Sequence, residues 1–431
     1  MKNTDTSKTD SNAKSLSQWL SYLESIHPST IDMGLDRVKA VAHAMSLDLS
    51  NALVITVAGT NGKGTTCRLL EQALLSQGKR VAVYSSPHLN DYRERVRLNG
   101  ELALATDFVA AFNCVESARN ETSGGTTSLT YFEFGTLAAI KMMQSWNVDV
   151  AILEVGLGGR LDATNIIDPD LAVITTIDLD HQDWLGNTRE KIAREKAGIM
   201  RSGGNAIVGE LFPPSSLYDI ANELNANVRW ATEDFEAIIA SDYSEWSWKG
   251  KRHSYTSLPY PKIPLQNVST ALAALELLQL LPEEKVLKDI IQNTTMPGRQ
   301  QIINQNPLVV VDVAHNPQAT LAMKEWLARY NADSLRIVVG MLKDKSIAET
   351  LAPLSDLNAD WYVANTQGPR GCSADVLENA LVNAGTSIQN IALYESVEAA
   401  YKQALTDYQS GELILVFGSF VTVADVLAIQ C

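Results

Sequence analysis

The sequence predicts an α/β protein of two domains. Short apolar runs rich in β-branched residues alternate with helical stretches along the chain, which is the pattern of parallel strands covered by helices. The length of 431 residues is greater than one ordinary domain needs. A Pro297–Gly298 pair interrupts the helical pattern, and it marks the joint between the two domains.

The first domain is expected over residues 14–297, with a mostly parallel sheet. Helical spacing dominates residues 14–50, and a strand, a glycine-rich loop, a helix and a second strand follow over residues 52–87. Such a unit makes its two strands parallel. Later helices are predicted at 136–146, 188–200 and 267–281, and later strands at 148–156 and 170–178. Residues 205–265 carry a proline pair, clustered aromatic residues and short alternating runs, which predict a small antiparallel β insertion.

The second domain is expected over residues 298–431 and is the smaller of the two. Four strand patterns separated by helical stretches predict a Rossmann-like α/β domain. These patterns are "PLVVVDVAHNP", "SLRIVVGML", "ADWYVANTQGP" and "GELILVFGS".

The composition narrows the setting in which the protein works. Residues 1–13 are polar and lack the apolar core of a secretion signal, so we expect a disordered tail and a cytoplasmic location. No apolar run approaches the roughly 18 residues that span a bilayer. The four cysteines form no CxxC pair, which excludes a zinc cluster of that type. A formal charge of −15 argues against nucleic acid as a partner, and we expect no membrane partner.

A glycine-rich loop, "VAGTNGKGTTC" at 57–67, departs from the standard phosphate-binding pattern. Val57 stands where that pattern requires glycine, and Gly64 stands where it requires a hydroxyl. The loop nevertheless joins a strand to a helix, so backbone N–H groups, the helix N-terminus and Lys63 converge on one point. An anion site is the favoured interpretation, and a glycine-rich turn with a solvated lysine is the alternative.

Three further stretches place polar side chains after apolar strands. Ser86 lies in "YSSPHL", Glu154 in "LEVGLGGRLDATN" and His181 in "TTIDLDHQDWLG". Ligands gather at the carboxyl ends of strands in open α/β sheets. A buried carboxylate such as Glu154 also requires a compensating cation. The alternatives are an ordinary turn, a satisfied turn carboxylate and a structural histidine.

Other charged residues give weaker indications when they are taken alone. Lys196 lies on a helix whose charges fall at i,i+4 spacing, which predicts a solvated surface position. Arg299 lies in the joint, where a guanidinium suits a phosphate between the domains. Asn267, Asp312 and His315 lie near this joint or at the end of the next strand.

Taken in order, the motifs resemble the folylpolyglutamate synthase and dihydrofolate synthase family, whose relatives are the peptidoglycan Mur ligases. The resemblance covers nearly the whole chain after the tail, and the bifunctional bacterial form is the most similar. It implies a P-loop ATPase-type first domain and a glutamate ligase second domain. The motifs are "GTNGKGTT", "YSSPHL", "ERVRLNG", "LTYFEFGTLAA", "LEVGLGGRLDATN", "DHQDWLG", "REKAGI" and "DVAHNP".

The resemblance also implies a role for each matching residue. The ATP-binding residues it implies are Thr60, Asn61, Gly62, Lys63, Gly64, Thr65, Asn267, Arg299 and Asp312. The implied metal ligands are Ser86, Glu154 and His181, and Lys196 matches a carbamylated lysine (N6-carboxylysine); with Lys63, Glu154 and His181 it is expected to act in catalysis. The implied pterin-side residues are Ser25, Ile26, His27, Pro28, Thr130, Tyr131, Phe132, Glu133, Leu161, Asp162 and Ala163. The implied glutamate-binding residues are Arg95, His315 and Ser419.

The activity that the resemblance implies is ATP-driven amide formation through an acyl phosphate. L-Glutamate would be added to dihydropteroate, and also to the γ-carboxylate of tetrahydrofolate. The implied co-substrate is ATP, and the expected cofactor is Mg²⁺, with a monovalent cation as a further candidate. The expected oligomeric state is a monomer. The alternatives are a folylpolyglutamate synthase alone, another Mur-type amino-acid ligase, and a P-loop switch protein that hydrolyses ATP without a carboxylate substrate.

Overall fold

The computed structural model describes residues 14–27, 29, 31–241, 245–330 and 332–430. The tail expected over residues 1–13, and Pro28, lie outside the described residues. Among the described residues, no helix combines the length and the apolar content that a membrane crossing requires.

The first sheet has eight strands in the order β4-β3-β2-β5-β1-β6-β7-β8. Its strands are β1 Leu53–Ala58, β2 Val81–Tyr84, β3 Val96–Leu98, β4 Glu101–Leu102, β5 Val150–Glu154, β6 Leu171–Ile174, β7 Asn205–Val208 and β8 Asn227–Trp230. The six strands from β2 to β8 in this order pair in parallel, whereas β3 and β4 add an antiparallel edge. β1 lies near the middle, so the loop that follows it opens at the centre of the carboxyl edge.

Ten helices of the described chain surround this sheet. They are α1 Leu16–Leu23, α2 Asp36–Ala44, α3 Lys63–Leu75, α4 Ala105–Asn120, α5 Tyr131–Trp146, α6 Gln182–Leu185, α7 Arg189–Ala197, α8 Ser215–Glu223, α9 Leu265–Leu277 and α10 Glu284–Asn293. Short 3-10 helices span Tyr92–Arg95 and Ala163–Ile166. One apolar core packs α3, α9 and α10 against the sheet. A second core packs α1, α2, α4 and α5, and a third packs α7 and α8. Both faces of the parallel strands are therefore buried, as such sheets require.

The predicted antiparallel insertion over 205–265 is wrong in its first part. β7, α8 and β8 extend the parallel sheet, and only β9 Glu236–Ile239, β10 Glu245–Lys249 and β11 Ser254–Pro259 form a three-stranded antiparallel sheet. Pro214 caps the start of α8, so the proline pair marks a helix boundary rather than a hairpin. Trp246 and Trp248 of β10 are buried in the core beneath α9.

The second sheet has six strands in the order β12-β13-β17-β14-β15-β16, parallel apart from the β12–β13 pair. Its strands are β12 Gln301–Gln305, β13 Leu308–Asp312, β14 Leu335–Val339, β15 Ala359–Ala364, β16 Ile391–Tyr394 and β17 Leu413–Phe417. Its helices are α11 Pro317–Leu327, α12 Ile347–Leu351, α13 Ala374–Asn383, α14 Val397–Asp407 and α15 Phe420–Gln430, with 3-10 turns at Ala352–Leu354 and Ile388–Asn390. The predicted two-domain α/β architecture is confirmed.

Candidate active site

The glycine-rich loop lies between the end of β1 and the start of α3. Gly62 has a φ of +84°, and a Cβ atom at this position would overlap the Asn267 amide. Asn267 in turn donates from Nδ2 to Oγ1 of Thr65 at 2.7 Å. These contacts hold the loop against α9, and they present the N-terminus of α3 to the cleft, where an anion is stabilised.

Lys63 is the first residue of α3, and its ammonium group lies within this loop. The Nζ atom donates to the carbonyl oxygen of Gly59 at 3.0 Å and lies 3.4 Å from that of Thr60. Burial lowers the pKa of the ammonium, and the charges of Glu154 and Asp180 oppose that shift. Because its partners are neutral carbonyl groups, the ammonium retains a charge that phosphate oxygens can use.

Glu154 is the last residue of β5 and is only 5% exposed. One carboxylate oxygen accepts a hydrogen bond from the backbone N–H of Ser86 at 3.3 Å. Burial raises the pKa of Glu154, and Lys63 is the strongest influence in the opposite direction. The structure therefore brings Ser86 and Glu154 together, next to the start of α3.

His181 follows β6, on the other side of β1 from Glu154. Its backbone has a φ of +51°, and its ring lies 3.9 Å from the Asp180 carboxylate. Partial burial lowers the pKa of the ring, and the cationic Lys345 and Lys63 lower it further although Asp180 opposes them. A neutral imidazole offers the lone pair that a metal ligand needs.

This donor set suits a divalent cation held jointly with a nucleotide. Glu154 has a buried carboxylate with no ion-pair partner among the described residues, so a cation is the missing compensation. No cluster of three His, Cys, Asp or Glu side chains forms in the described part of the chain. Hydroxyl and carboxylate oxygens, with phosphate oxygens completing the shell, suit a hard divalent cation at a nucleotide site, and His181 offers a nitrogen donor in addition.

Lys196 is buried, which contradicts the surface position that its spacing predicts. The residue is 4% exposed, and burial lowers its pKa to about 7. The expected i,i+4 pairs are also absent from the described residues. Glu190 instead accepts from the backbone at the start of α8, and Glu195 pairs with Arg160 at 2.9 Å. Glu190 and Glu195 thus bind neighbouring elements, while Lys196 is left on the buried side, where its ammonium loses a proton more easily than that of a surface lysine.

The second domain contributes charged groups to the same cleft. Lys345 Nζ lies 2.8 Å from Oδ1 of Asp180, and His315 Nε2 lies 3.7 Å from Oδ2. Burial alone would raise the pKa of Asp180, but the bond to His315 and the cations around it lower that pKa overall. Asn61 and Asn316 exchange side-chain hydrogen bonds of 3.1 and 2.9 Å across the domain boundary. The glycine-rich loop is thereby connected directly to the start of α11.

Arg299 and Asp312 lie where the joint meets the second sheet. The guanidinium of Arg299 lies 5.6 Å from the centre of the Phe420 ring, and no carboxylate pairs with it among the described residues. Asp312 accepts from the backbone of Gln300 and Ala314. Ser419, at the end of β17, is buried and shares a 2.8 Å hydrogen bond with Thr422. The free cation of this group is therefore Arg299.

The predicted pterin-side residues form two groups in the first domain. Thr130 and Glu133 form a capping box at the start of α5, and Glu133 also accepts from Arg37 at 2.8 Å. The Asp162 carboxylate accepts from three backbone N–H groups and from the Thr164 hydroxyl. Both acids are thus engaged by donors of the protein itself. Sequence reasoning missed Arg37, since nothing near it in the chain indicates its partner.

The remaining predicted pterin-side residues differ in how far their side chains are engaged by contacts within the protein. The Phe132 ring packs against Gly156, where an added Cβ would lie 2.5 Å from it. His27 contacts Ser29 and Asp32, and the Ser25 hydroxyl donates to its own turn. Ala163 is buried at the 3-10 helix beside α5, Leu161 is partly exposed, and Ile26 packs on the edge of the same core.

A glycine-rich loop between a strand and a helix of the first domain, facing a second α/β domain, is the arrangement of a Mur-type ATP-dependent ligase. Two family models match: "Mur ligase middle domain" over residues 57–275 and "Mur ligase, glutamate ligase domain" over residues 298–420. The chain belongs to the dihydrofolate synthase/folylpolyglutamate synthase family. Proteins of that name from Escherichia coli and Haemophilus influenzae are 45% and 42% identical to it, and the matches cover 98% and 96% of this chain and 97% of each relative.

Solved structures give the same result. The Escherichia coli FolC complex with DHPP and ADP has a TM-score of 0.91 at 45% identity, covering 97% of this chain and 98% of that one. The Yersinia pestis bifunctional folylpolyglutamate synthase/dihydrofolate synthase, complexed with AMPPNP and Mn ion, has a TM-score of 0.88 at 45% identity, covering 96% and 98%. In that relative a divalent metal accompanies the nucleotide analogue.

Proposed function

We propose that the protein joins L-glutamate to dihydropteroate, giving dihydrofolate, and to the γ-carboxylate of tetrahydrofolate. Each reaction consumes ATP. The observation that carries the proposal is that Lys63, Arg299 and the buried Glu154 lie close enough to act on one another's charges, in a chain that matches bifunctional relatives over nearly its whole length. The two domains that line the cleft are 14–297 and 298–431.

The chemistry follows from the poor reactivity of a free carboxylate. The donor carboxylate attacks the γ-phosphorus of ATP, ADP leaves, and an acyl phosphate forms. The α-amine of L-glutamate then attacks the acyl carbon, and the tetrahedral intermediate collapses to the amide with loss of phosphate and a proton. Lys63 and Arg299 neutralise the repulsion between the anionic reactants, and closure of the domains keeps water away from the acyl phosphate.

Mg²⁺ is the proposed metal, and Ser86, Glu154 and His181 are its proposed protein ligands. When bound, it would neutralise charge on the phosphate oxygens. The ATP-binding set comprises Thr60 to Thr65 with Asn267, Arg299 and Asp312. The support from this chain is the unpaired Glu154 carboxylate beside the start of α3.

Lys196 is proposed to carry a carbamate. Its neutral amine attacks CO₂, an N–C bond forms, and one proton is released, so a neutral side chain becomes an anion. The low pKa of about 7 favours this reaction because the nucleophile is the neutral amine. Such an anion on α7 would help to orient the metal and its ligands.

His315 and Ser419 are proposed to bind the acceptor L-glutamate from the second domain. The partners are small molecules, the location is cytoplasmic, and the protein acts as a monomer. The pterin ring occupies the pocket at the start of α5, beside Phe132 and Asp162.

Phosphate release tests the proposal directly. Purified protein with ATP and Mg²⁺ is given L-glutamate together with dihydropteroate or, in parallel, with tetrahydrofolate. Phosphate is expected to appear only when the carboxylate substrate is present, and mass spectrometry is expected to find one added glutamate. Phosphate release without any carboxylate substrate, and without an amide product, would mean a nucleotide-driven switch instead. A chelator is expected to stop both reactions.

A further inference from the structure

Arg95 is held between aromatic rings at the edge of the cleft. Its guanidinium carbon lies 5.3 Å from the ring centre of Tyr92 and 5.5 Å from that of Tyr131. The hydroxyl group of Tyr84 also forms a hydrogen bond with it. Aromatic faces stabilise a guanidinium without neutralising its charge. The site therefore keeps a full positive charge beside the first residue of α5.

No carboxylate of the described residues pairs with this guanidinium. The acidic residue next to it in the chain, Glu94, accepts hydrogen bonds from the backbone N–H groups of Leu89, Asn90 and Asp91. Arg93, on the same turn, has its own partner, since it lies 2.7 Å from the Asp91 carboxylate. The neighbouring acids are thus engaged, and Arg95 has unused donors.

His88, in the loop that also carries Ser86, fixes the direction of those donors. Arg95 Nε donates to His88 Nδ1 at 2.9 Å, and the His88 ring packs edge-on against Tyr92 at 5.7 Å. A guanidinium has five N–H donors in a fixed plane. With Nε committed to His88 and one N–H shared with the Tyr84 hydroxyl, donors of the Nη groups remain, and they suit the oxygens of a carboxylate.

We propose that Arg95, positioned by His88, binds the α-carboxylate of the folate donor and so serves the second reaction rather than the first. This inference rests on the proposed function. Dihydropteroate has one carboxylate, which is the group that reacts. Tetrahydrofolate has two on its glutamate, and only the γ-carboxylate reacts, so the α-carboxylate needs a partner of its own.

The surroundings of Arg95 place it on the donor side. Its ring contacts come from Tyr92 and from Tyr131, which is itself one of the predicted pterin-side residues. The proposed acceptor residues His315 and Ser419 belong to the second domain, where they bond to Val313 and Thr422. The resemblance to the family groups Arg95 with those acceptor residues, whereas its side-chain contacts among the described residues are with the first domain.

Four variants test this assignment in steady-state assays of both reactions. Arg95→Met removes the guanidinium, and Arg93→Met is the matched control from the same turn. His88→Ala removes the acceptor for Nε, and His88→Asn replaces Nδ1 with an amide oxygen that can accept from Nε. KM is measured for dihydropteroate, tetrahydrofolate, L-glutamate and ATP, with kcat for each reaction.

Arg95→Met and His88→Ala are each expected to raise KM for tetrahydrofolate, by about 10- to 100-fold for the arginine variant, as the loss of a charged hydrogen bond implies. KM for dihydropteroate is expected to change far less, and His88→Asn is expected to restore much of the loss in His88→Ala. Arg93→Met is expected to match the wild type.

A raised KM for L-glutamate in both reactions would overturn the proposal and assign Arg95 to the acceptor. Equal losses of kcat in both reactions, without rescue by asparagine, would leave His88 with a purely structural role. A wild-type protein that forms neither amide would refute the proposed function itself.

Discussion

The ammonium of Lys345 lies 2.8 Å from the carboxylate of Asp180, and the two residues belong to different domains. Both side chains are largely buried, so the pair has little screening from water. The His315 Nε2 atom lies 3.7 Å from the other oxygen of the same carboxylate. The ionic contact therefore connects the second domain to the loop that carries His181.

Lys345→Met is expected to weaken this connection, since it leaves a buried carboxylate with less compensation. The expected cost is about 2–5 kcal/mol in the free energy of unfolding, measured with urea. Asp180→Asn in the same chain is expected to recover part of that loss because it removes the uncompensated charge. Lys343→Met, at an exposed position on the same loop, is the control and is expected to stay within about 0.5 kcal/mol of the wild type. Equal stability of the two lysine variants would contradict this account.

Lys63→Ala is expected to lower kcat for both reactions by about 100- to 1,000-fold, as the loss of a positioned charge-stabilising donor does. The ammonium is held by the carbonyl groups of Gly59 and Thr60, and its removal leaves the phosphates without that charge. Phosphate release gives the rate, and circular dichroism checks the fold. Lys79→Ala, an exposed lysine just after α3, is expected to behave like the wild type. A wild-type rate in Lys63→Ala would rule out its role at the phosphates.

Lys196 gives a prediction that depends on pH. Its pKa of about 7 means that the amine is mostly neutral above that pH and mostly protonated below it. Because only the neutral amine reacts with CO₂, carbamate occupancy is expected to rise between about pH 6 and pH 8. A ¹³C carbamate resonance is expected with labelled bicarbonate and is expected to disappear in Lys196→Ala.

Lys191→Ala on the same helix serves as the control, since Lys191 is exposed and its ammonium donates to the Asn187 side chain, away from Lys196 in the packing of α7. The resonance is expected to persist in that variant. Activity in buffer depleted of CO₂ is expected to fall for the wild type and to return when bicarbonate is added. An unmodified Lys196 in a fully active protein would end the carbamate proposal.

Much of this fold could be predicted because apolar residues occur in the sequence as continuous strand-length runs and at helical spacing. The strand before Lys63 and the strand before Glu154 are continuous apolar runs, which buried parallel strands require. Since parallel strands end at the same edge, the proximity of Ser86 and Glu154 followed from their positions alone. The cap at Thr188 was likewise predictable, because a threonine side chain accepts from the first turn of α7.

Other features depend on packing that no local pattern contains. The burial of Lys196 is set by the elements that cover α7, and helical spacing cannot indicate which face they cover. Asp180 and Lys345 are 165 residues apart, so their pairing exists only after the domains meet. The strands β7 and β8 have four residues each, which is too short for alternation to distinguish them from an antiparallel insertion.

Gly156 offers a test of the pterin pocket that leaves the nucleotide loop untouched. A Cβ atom on Gly156 would lie 2.5 Å from the Phe132 ring, so Gly156→Ala must displace that ring. Overpacking of this kind costs about 1–3 kcal/mol, and the displaced ring would narrow the space beside Tyr84 and Asp162. KM for dihydropteroate is therefore expected to rise about tenfold, whereas KM for ATP is expected to stay within about twofold.

Gly124→Ala is the matched control for this substitution, because Gly124 has no atom within 4 Å of an added Cβ and does not adopt a left-handed backbone conformation. It is expected to leave both constants unchanged. Phe132→Leu in the Gly156→Ala background is expected to recover part of the affinity for dihydropteroate, since a smaller side chain accommodates the new methyl group. If KM for ATP rose instead, the loop at 156–159 would serve the nucleotide rather than the pterin. An unchanged KM for dihydropteroate in Gly156→Ala would place the pterin ring away from Phe132.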